Sequence, residues 1–405
     1  MNPNLAQLHP YPFEKLAQLK LGIVPPADKT AITLSIGEPA HPTPAFIGGT
    51  LSAQISGLGV YPTTKGLLEL RLAIATWLSK RFAIPADAID ADSQILPVSG
   101  TREALFSFAQ CVINANSDSH PVVIMPNPFY QIYEGAALLA GAEPYFVNTT
   151  AENGFLPDFS EIPEAIWQRC QLLYICSPGN PTGAVMSGEQ QAQLIKLAER
   201  YDFLIASDEC YSELYDDEQQ PPTGLLETAY RIGNSAFKRC VVFHSLSKRS
   251  NAPGLRSGFV AGDAEVLQRY FQYRTYQGCA LPLPTQHASI RAWQDEHHVI
   301  ENRRLYREKF AAFISILSEV CLIEKPAAGF YVWLQTSISD TDFAQRLFAH
   351  ENVTVLPGSY LSRDAHGSNP GTGYVRIALV APLDECIKAA HRIKNFLNTL
   401  EKEKS

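Results

Sequence analysis

Length, composition and charge place this chain among ordinary globular proteins. It has 405 residues, 46% of them hydrophobic and 18% charged, which predicts two domains or subdomains. A net charge of -8 argues against nucleic acid or an anionic membrane as a partner. We expect no secretory signal and no bilayer-spanning segment, because neither pattern occurs in the sequence. Eight dispersed cysteines without metal-ligand spacing favour reduced thiols in a cytoplasmic protein that binds no metal.

The first 45 residues are rich in proline and are typical of an arm. One helix is predicted from Phe13 to Lys20, and an apolar piece, residues 31–36, then ends at Gly37. A glycine at this position lets the backbone approach a ligand closely, although taken alone an ordinary turn is the favoured explanation. Tyr61 follows in a turn just before an amphipathic helix, where a tyrosine usually lies at a surface or an interface.

Gly100, Thr101 and Arg102 stand between an apolar piece, residues 94–98, and an apolar helical pattern, residues 104–112. A helix that begins with glycine and a hydroxyl offers free backbone N–H groups to an anion. This turn is therefore a candidate phosphate site.

Strand and helix patterns alternate through the middle of the chain. Strands are predicted at residues 122–125, 144–147, 172–176 and 203–206, and helices at 131–140 and from the Ser187 capping box to about 201. This alternation favours an α/β fold with parallel pairing, in which ligands bind beyond the carboxyl ends of the strands. Four such ends carry Tyr130, Asn180, Asp208 and Lys248, which we expect to converge on one crevice.

The chemistry centres on residues 245–256, where Lys248 follows an apolar run. Ser245 stands three residues before the lysine and Arg256 eight residues after it. A lysine can form an imine with an aldehyde, while hydroxyls and a guanidinium can hold a phosphate. Pyridoxal phosphate also needs an acid for its ring nitrogen and donors for its ring oxygen, which Asp208, Asn180 and Tyr211 match in kind.

The pattern changes after two prolines at 282 and 284. A long helical stretch is predicted over residues 285–318, strands at 322–325, 330–335 and 374–379, and a helix from 382 to about 400. The last of these strands carries Arg376. We expect an arm with part of a small domain at 1–45, a large cofactor-binding domain at 46–284 and a small domain at 285–405. We interpret His297 and His298 as a solvated pair.

Ordered motifs along nearly the whole chain resemble the class I/II pyridoxal-phosphate aminotransferases of fold type I. They are Asn180-Pro181-Thr182-Gly183, Ser207-Asp208-Glu209-Cys210-Tyr211, Ser245-Leu246-Ser247-Lys248 and Gly254-Leu255-Arg256-Ser257-Gly258. The resemblance implies a large domain with a mostly parallel central sheet between helices and a smaller α/β domain.

The resemblance also implies a role for each candidate residue. Lys248 would bind the cofactor covalently and carry protons, and Asp208 would keep the ring nitrogen protonated. Asn180 and Tyr211 would contact the ring hydroxyl, and Tyr130 would stack on the ring. The phosphate would be bound by Ser245, Arg256, Gly100, Thr101 and Arg102, and by Tyr61 of a neighbouring subunit in a homodimer. Arg376 and Gly37 would bind the substrate α-carboxylate.

Further sequence motifs resemble those of the N-succinyldiaminopimelate aminotransferases of bacterial lysine synthesis. These motifs are Ile36-Gly37-Glu38-Pro39, His41-Pro42-Thr43-Pro44, Ser247-Lys248-Arg249-Ser250-Asn251 and Asn369-Pro370-Gly371. The implied reaction exchanges an amino group between N-succinyl-LL-2,6-diaminopimelate and 2-oxoglutarate. A second cation is needed for the distal carboxylate, and Arg102, Arg249, Lys65 and Arg274 all stay open for that role.

Other classes of protein fit less well. Ser245-x-x-Lys248 also occurs in penicillin-recognising acyl enzymes, but their Ser-Asp-Asn and Lys-Thr-Gly motifs are absent from the sequence. A transcription regulator with an aminotransferase-like domain would need a DNA-binding module, for which the arm leaves too little room. Another amino-acid:2-oxoglutarate aminotransferase or a carbon–sulfur lyase remains the alternative.

Overall fold

The computed structural model describes residues 1–404. The α-helices, numbered α1–α14, are Pro12–Leu19, Ala45–Ala53, Leu68–Arg81, Thr101–Val112, Ile132–Leu139, Glu164–Trp167, Gly188–Tyr201, Leu225–Arg231, Leu246–Arg249, Ala264–Gln277, Leu283–Gln294, His297–Leu317, Asp340–Glu351 and Leu383–Lys404. The strands, numbered β1–β12, are Ile32–Thr33, Ile95–Val98, Val122–Asn127, Glu143–Asn148, Cys170–Cys176, Leu204–Asp208, Cys240–Ser245, Gly258–Gly262, Tyr331–Gln335, Val353–Thr354, Leu356–Pro357 and Tyr374–Ala378.

The largest sheet has seven strands in the order β2-β8-β7-β6-β5-β3-β4. All neighbours from β7 to β4 pair in parallel, whereas β8 runs antiparallel to both β7 and β2. The register sets Cys176 beside Asp208 and Asp208 beside Phe243. The ends of β5, β6 and β7 therefore lie side by side at one edge, where ligands bind in parallel sheets.

Both faces of this sheet are buried, which explains why its strands read as continuous apolar runs. One face packs against α3, α7, α8 and α11 through residues such as Ile74, Leu194 and Trp293. The opposite face packs against α4, α5 and α10 through residues such as Phe108 and Tyr270. The expected α/β fold with a mostly parallel sheet between helices is confirmed.

A second core surrounds the smaller sheets. Strands β11, β12 and β9 form an antiparallel sheet, and β1 pairs in parallel with β10. Apolar residues of α12, α13 and α14 pack on these strands. Since Ile32 of β1 joins this core, the beginning of the chain is tied to its carboxyl-terminal part.

The division that we expect after residue 284 stays a prediction. Helix α11 contributes Ala288, Ala292 and Trp293 to the core of the large sheet, whereas α12 contributes Phe313 and Leu317 to the core of the smaller sheets. This packing favours a division after residue 294.

The capping box predicted at Ser187 is present. The Gln190 N–H donates to Ser187 Oγ at 3.2 Å, and the Ser187 N–H donates to Gln190 Oε1 at 2.9 Å. These two bonds satisfy N–H groups that a helix end otherwise leaves unpaired, so α7 begins at residue 188.

The long helical stretch predicted over residues 285–318 is present but interrupted, because the chain leaves helical geometry at Asp295 and Glu296. The Asp295 carboxylate accepts the backbone N–H of His298 at 3.1 Å and lies 2.6 Å from its Nδ1, while His298 Nε2 lies 2.8 Å from Ser250 Oγ. Interpreting His298 as solvated was therefore wrong, whereas His297 is exposed. Its ring joins the start of α12 to the region beside Lys248.

The strand predicted at residues 322–325 is also wrong, since this segment is irregular. Its Leu322 side chain is 87% exposed. The nearest pairing is a bridge between Tyr215 and Ala328, just beyond the segment. An apolar run that has no partner strand cannot form β-sheet hydrogen bonds, even when its residues favour the β conformation.

No helix in residues 1–404 is long and apolar enough to cross a membrane. Within the same residues, no cluster of three or more His, Cys, Asp or Glu side chains is arranged to hold a metal ion.

Candidate active site

A cavity of about 420 Å³ opens at the carboxyl edge of the large sheet, between the two cores. Of the thirteen residues predicted for the site, all but Gly100 and Tyr61 line it: Gly37, Thr101, Arg102, Tyr130, Asn180, Asp208, Tyr211, Ser245, Lys248, Arg256 and Arg376. The expected convergence of the four strand ends is observed. Gly100 lies immediately behind Arg256, whereas Tyr61 is 98% exposed.

Lys248 lies on α9, the short helix that follows β7 directly. Ser245 caps this helix by accepting the Ser247 N–H at 3.1 Å. The Lys248 ammonium donates to the Gly37 carbonyl at 2.6 Å. Burial lowers its pKa to about 8, and the charges of Arg376 and Arg256 act in the same direction. The lysine is thus a more available nucleophile at neutral pH than an ordinary lysine.

Asp208 ends β6 and is 4% exposed. Its carboxylate accepts the Tyr133 hydroxyl at 2.7 Å and the Cys210 N–H at 3.3 Å. Burial raises the pKa of Asp208, while these donors oppose the rise by favouring the ionised form. A buried carboxylate with few partners is suited to accept a hydrogen bond from a protonated ring nitrogen.

Arg376 projects from β12 toward the end of β5. It donates to Asn180 Oδ1 at 2.9 Å and to the Ser35 carbonyl at 2.7 Å, and its guanidinium lies 4.4 Å from the ring centre of Tyr331. Its buried Nε has no hydrogen-bond partner among the described residues. An arginine that lines the cavity and is oriented by two hydrogen bonds is suited to bind a carboxylate.

Tyr331 links the two sides of the cavity. Its hydroxyl lies 3.1 Å from that of Tyr211, and a Cβ on Gly37 would lie 1.9 Å from the Tyr331 oxygen. Position 37 therefore admits only glycine, because its backbone packs closely against Tyr331 beside the cavity.

Helix α4 begins at Thr101 with Gly100 as its N-cap, in a backbone conformation with φ of 103°. Its first N–H groups have no acceptor within the helix, so they can bind an anion. A Cβ on Gly100 would lie 2.1 Å from Arg256 Nη2. That nitrogen donates to the two carboxylate oxygens of Glu103 at 3.0 and 2.8 Å.

These residues fit pyridoxal phosphate by their donor set. The helix start, the Ser245 hydroxyl and Arg256 suit a phosphate, a lysine with a lowered pKa suits an aldehyde, and the buried Asp208 suits a pyridinium. Among the described residues, no hydrogen bond joins the Ser245 hydroxyl to a base, since it accepts the Ser247 N–H while Lys248 donates to the Gly37 carbonyl.

Sequence reasoning missed two residues of the site. Tyr133 is buried on α5 and appears locally as one more residue of an apolar helix face, and Tyr331 belongs to an apolar strand. Tyr133 lies three residues after Tyr130, but no local signal shows that its hydroxyl meets Asp208. Both contacts join segments that are distant along the chain.

The fold and the site together define a pyridoxal-phosphate-dependent enzyme. The family model for aminotransferase class I and II matches residues 29–393, and the chain belongs to that family. It is therefore a pyridoxal-phosphate-dependent transaminase that takes amino donors and oxo-acid acceptors.

Three known proteins illustrate the similarity. A solved aminotransferase from Neisseria meningitidis Z2491 is 49% identical, with a TM-score of 0.94 over 98% of this chain and 100% of that one. The aminotransferase AspB from Helicobacter pylori 26695 is 37% identical, with a TM-score of 0.88 over 96% and 99%. An LL-diaminopimelate aminotransferase from Syntrophobacter fumaroxidans is 32% identical over 404 residues, 97% of each chain.

Proposed function

We propose that this aminotransferase acts in diaminopimelate and lysine biosynthesis. Its amino donor is N-succinyl-LL-2,6-diaminopimelate and its acceptor 2-oxoglutarate, which yields N-succinyl-2-amino-6-oxopimelate and glutamate. The observation that carries transamination is the convergence of Lys248, Asp208 and Arg376 on one cavity. The diaminopimelate skeleton is supported by several relatives named LL-diaminopimelate aminotransferase.

The sequence motifs that resemble those of N-succinyldiaminopimelate aminotransferases support the succinylated donor. Free LL-diaminopimelate is the second candidate. The two differ in charge at the far end. The free donor carries an ammonium beside its distal carboxylate, whereas succinylation replaces that ammonium with an amide and adds a carboxylate. A site for the succinylated donor therefore needs more positive charge at its far end.

When bound, pyridoxal phosphate supplies an aldehyde carbon and an electron-withdrawing ring. In our proposal Lys248 would hold the aldehyde carbon and, as a free amine, would move the proton at the substrate Cα. Asp208 keeps a proton on the ring nitrogen. The lowered pKa of Lys248 supports this role, because a neutral amine must accept that proton.

The remaining residues bind and orient. Asn180 and Tyr211 would contact the ring hydroxyl, and Tyr130 would lie against the ring. The phosphate would be bound by Ser245, Arg256 and the helix start at Gly100, Thr101 and Arg102. Arg256 would then exchange its bond to Glu103 for the phosphate.

Arg376 binds the substrate α-carboxylate, and Gly37 borders the same pocket. The Gly37 carbonyl that holds the Lys248 ammonium would be released when the lysine engages the cofactor.

We further propose a cytoplasmic homodimer with shared sites, in which Tyr61 reaches the phosphate of the neighbouring subunit. Its almost complete exposure supports this role, because an aromatic ring of that size is rarely left in water.

An amino-donor panel with 2-oxoglutarate tests the proposal. The panel contains N-succinyl-LL-diaminopimelate, LL-diaminopimelate, N-acetylornithine, aspartate, alanine and an aromatic amino acid. We expect the highest kcat/KM with the succinylated donor. Robust turnover of another donor with none of the succinylated one would contradict the proposal, and pyruvate release from a cysteine conjugate would instead indicate a carbon–sulfur lyase.

A further inference from the structure

The main chain of Lys248 is bound by Asn302 of α12, a residue that does not line the cavity. The Asn302 amide donates to the Lys248 carbonyl at 3.1 Å. We propose that Asn302 is a positioning residue that ties the Lys248 backbone to the strap, residues 37–43, which holds the lysine ammonium. The inference rests on the role proposed for Lys248 and concerns how the chain directs that side chain.

The orientation of the Asn302 amide follows from its partners. A backbone carbonyl can only accept, so the amide nitrogen faces Lys248 and the amide oxygen is left for other groups. That oxygen accepts the Asn251 amide at 3.0 Å and lies 2.8 Å from His41 Nδ1. Since a carbonyl oxygen has no proton to give, His41 carries its proton on Nδ1. Asn302 is 1% exposed, so water does not compete for these bonds.

These contacts close a ring that begins and ends at the lysine. The Lys248 ammonium donates to the Gly37 carbonyl at 2.6 Å, four residues before His41 in the strap. His41 contacts Asn302, and Asn302 binds the Lys248 backbone. The main chain and the ammonium of Lys248 are therefore held at a fixed separation. The bond from Asn302 leaves the amine itself free to react.

The Lys248 carbonyl needs a partner from outside its own helix. Helix α9 has only four residues, so its last carbonyls meet no N–H group within the helix. The turn that follows contains Asn251 at φ of 47°, a left-handed conformation that asparagine tolerates better than most residues. The Thr43 hydroxyl donates to the Asn251 carbonyl at 2.5 Å and fastens this turn to the strap a second time.

A second contact from α12 supports the same arrangement. His298 stands four residues before Asn302 on one face of the helix, and its Nε2 lies 2.8 Å from Ser250 Oγ. Asp295, His298 and Ser250 have the order of a catalytic triad, but Ser250 is 0% exposed, so a substrate has no access to its hydroxyl. These residues therefore anchor the turn after Lys248 and do not form a second active site.

His41 keeps one protonation state over the pH range in which Lys248 titrates. Burial lowers the pKa of His41 below its ordinary value of 6.5, and the charge of Lys309 acts in the same direction. The Asn302 bond and the charge of Glu301 oppose that shift. The ring is thus neutral above about pH 7, and a changed titration of Lys248 reports on the position of the lysine.

Asn302→Leu tests the inference, because leucine has a similar size and makes none of these bonds. In the apoenzyme, the rate at which acetic anhydride acylates Lys248 is measured against pH by peptide mass spectrometry. We expect the midpoint to rise by about one pH unit from about 8, since a lysine freed from its buried position recovers part of the difference from 10.5. In the holoenzyme, kcat should fall about 10- to 100-fold, because the amine is misplaced.

Lys309→Met is the matched control. Lys309 lies on the same helix, is 2% exposed and donates to the Val380 carbonyl at the same distance of 3.1 Å. Its loss should also lower the urea midpoint of unfolding, but it should leave kcat unchanged and Lys248 titrating near pH 8. A Lys248 midpoint that stays near 8 in Asn302→Leu, or that moves equally in Lys309→Met, would overturn the inference.

His41→Phe is a milder second variant. It removes one bond to Asn302 while an aromatic ring remains beside Tyr306, whose ring centre lies 4.6 Å from that of His41. We expect a smaller rise of the Lys248 midpoint in the same direction. No rise would overturn the tie between Asn302 and the strap, even if Asn302→Leu does not fold. Because the acylation assay contains no amino donor, this inference and the proposed donor can fail independently.

Discussion

The hydrogen bond from Tyr133 to Asp208 makes a sharp prediction, because a matched bond lies beside it. Tyr133 and Tyr174 are both fully buried and their rings stack with centres 4.6 Å apart. Each hydroxyl donates over 2.7 Å, Tyr133 to the Asp208 carboxylate and Tyr174 to the Leu105 carbonyl. The two bonds thus differ mainly in the charge of the acceptor.

A hydrogen bond to a charged group contributes about 1.5–3 kcal/mol, and one between neutral groups about 0.5–1.5 kcal/mol. We therefore expect Tyr133→Phe to lower the free energy of unfolding of the apoenzyme roughly twice as much as Tyr174→Phe. The loss also moves the pKa of Asp208 further upward, in the direction in which burial already drives it.

Activity separates the two variants further. A less firmly ionised Asp208 holds the ring proton less well, so Tyr133→Phe should lower kcat by up to about 10- to 100-fold if the whole loss is expressed in the transition state. Tyr174→Phe should retain the original kcat. Urea unfolding of the apoenzymes and steady-state kinetics of the holoenzymes provide the two measurements.

Unchanged kcat in Tyr133→Phe, or the same kcat loss in both variants, would refute this reasoning. A double-mutant cycle adds a stricter condition. In an Asp208→Asn background, the Tyr133→Phe change should lose most of its effect on kcat, because the charge that the hydroxyl serves is gone.

Three further predictions concern the same cavity. In the apoenzyme, Lys248 should react with acetic anhydride at a rate that climbs as pH rises through about 8, well below the ordinary lysine value of 10.5, because its neutral amine forms there; peptide mass spectrometry measures the rate. Gly37→Ala should lower kcat/KM and cost about 1–3 kcal/mol of stability, because the added Cβ would lie 1.9 Å from the Tyr331 hydroxyl; kinetics and urea unfolding check both effects. Gly100→Ala should weaken pyridoxal phosphate binding about tenfold or more, since its φ of 103° disfavours a side chain and its Cβ would displace Arg256; apoenzyme titration measures the affinity.

Each of these changes has a control on the same chain. A Lys248 rate that begins to climb only near pH 10 would contradict the first prediction. Gly48→Ala adds a Cβ with no neighbour within 4 Å in α2 and should not destabilise the protein. Gly22→Ala, at φ of 80° but in open space, imposes backbone strain alone and should leave cofactor affinity intact. Equal affinity losses at positions 22 and 100 would show that the displacement of Arg256 is unimportant.

Much of the architecture could be predicted from local patterns. Continuous apolar runs marked the strands of the large sheet, and Ser187 with Gln190 marked the start of α7. These signals are local, since side-chain periodicity and capping depend on neighbours a few residues apart. The helical stretch predicted over residues 285–318 is interrupted at Asp295 and Glu296, before α12 begins at His297, and the strand predicted at residues 322–325 does not form because it has no partner strand.

The sequence by itself determined the inventory of the site: a lysine after a strand, polar residues at neighbouring strand ends and a glycine at a helix start. These follow from chain order, because parallel strands bring their carboxyl ends together. Only the tertiary structure decided which members interact. Lys248 meets the Gly37 carbonyl 211 residues away, and Tyr133 meets Asp208 across 75 residues. Burial and ion pairing depend on such distant contacts, which no local pattern encodes.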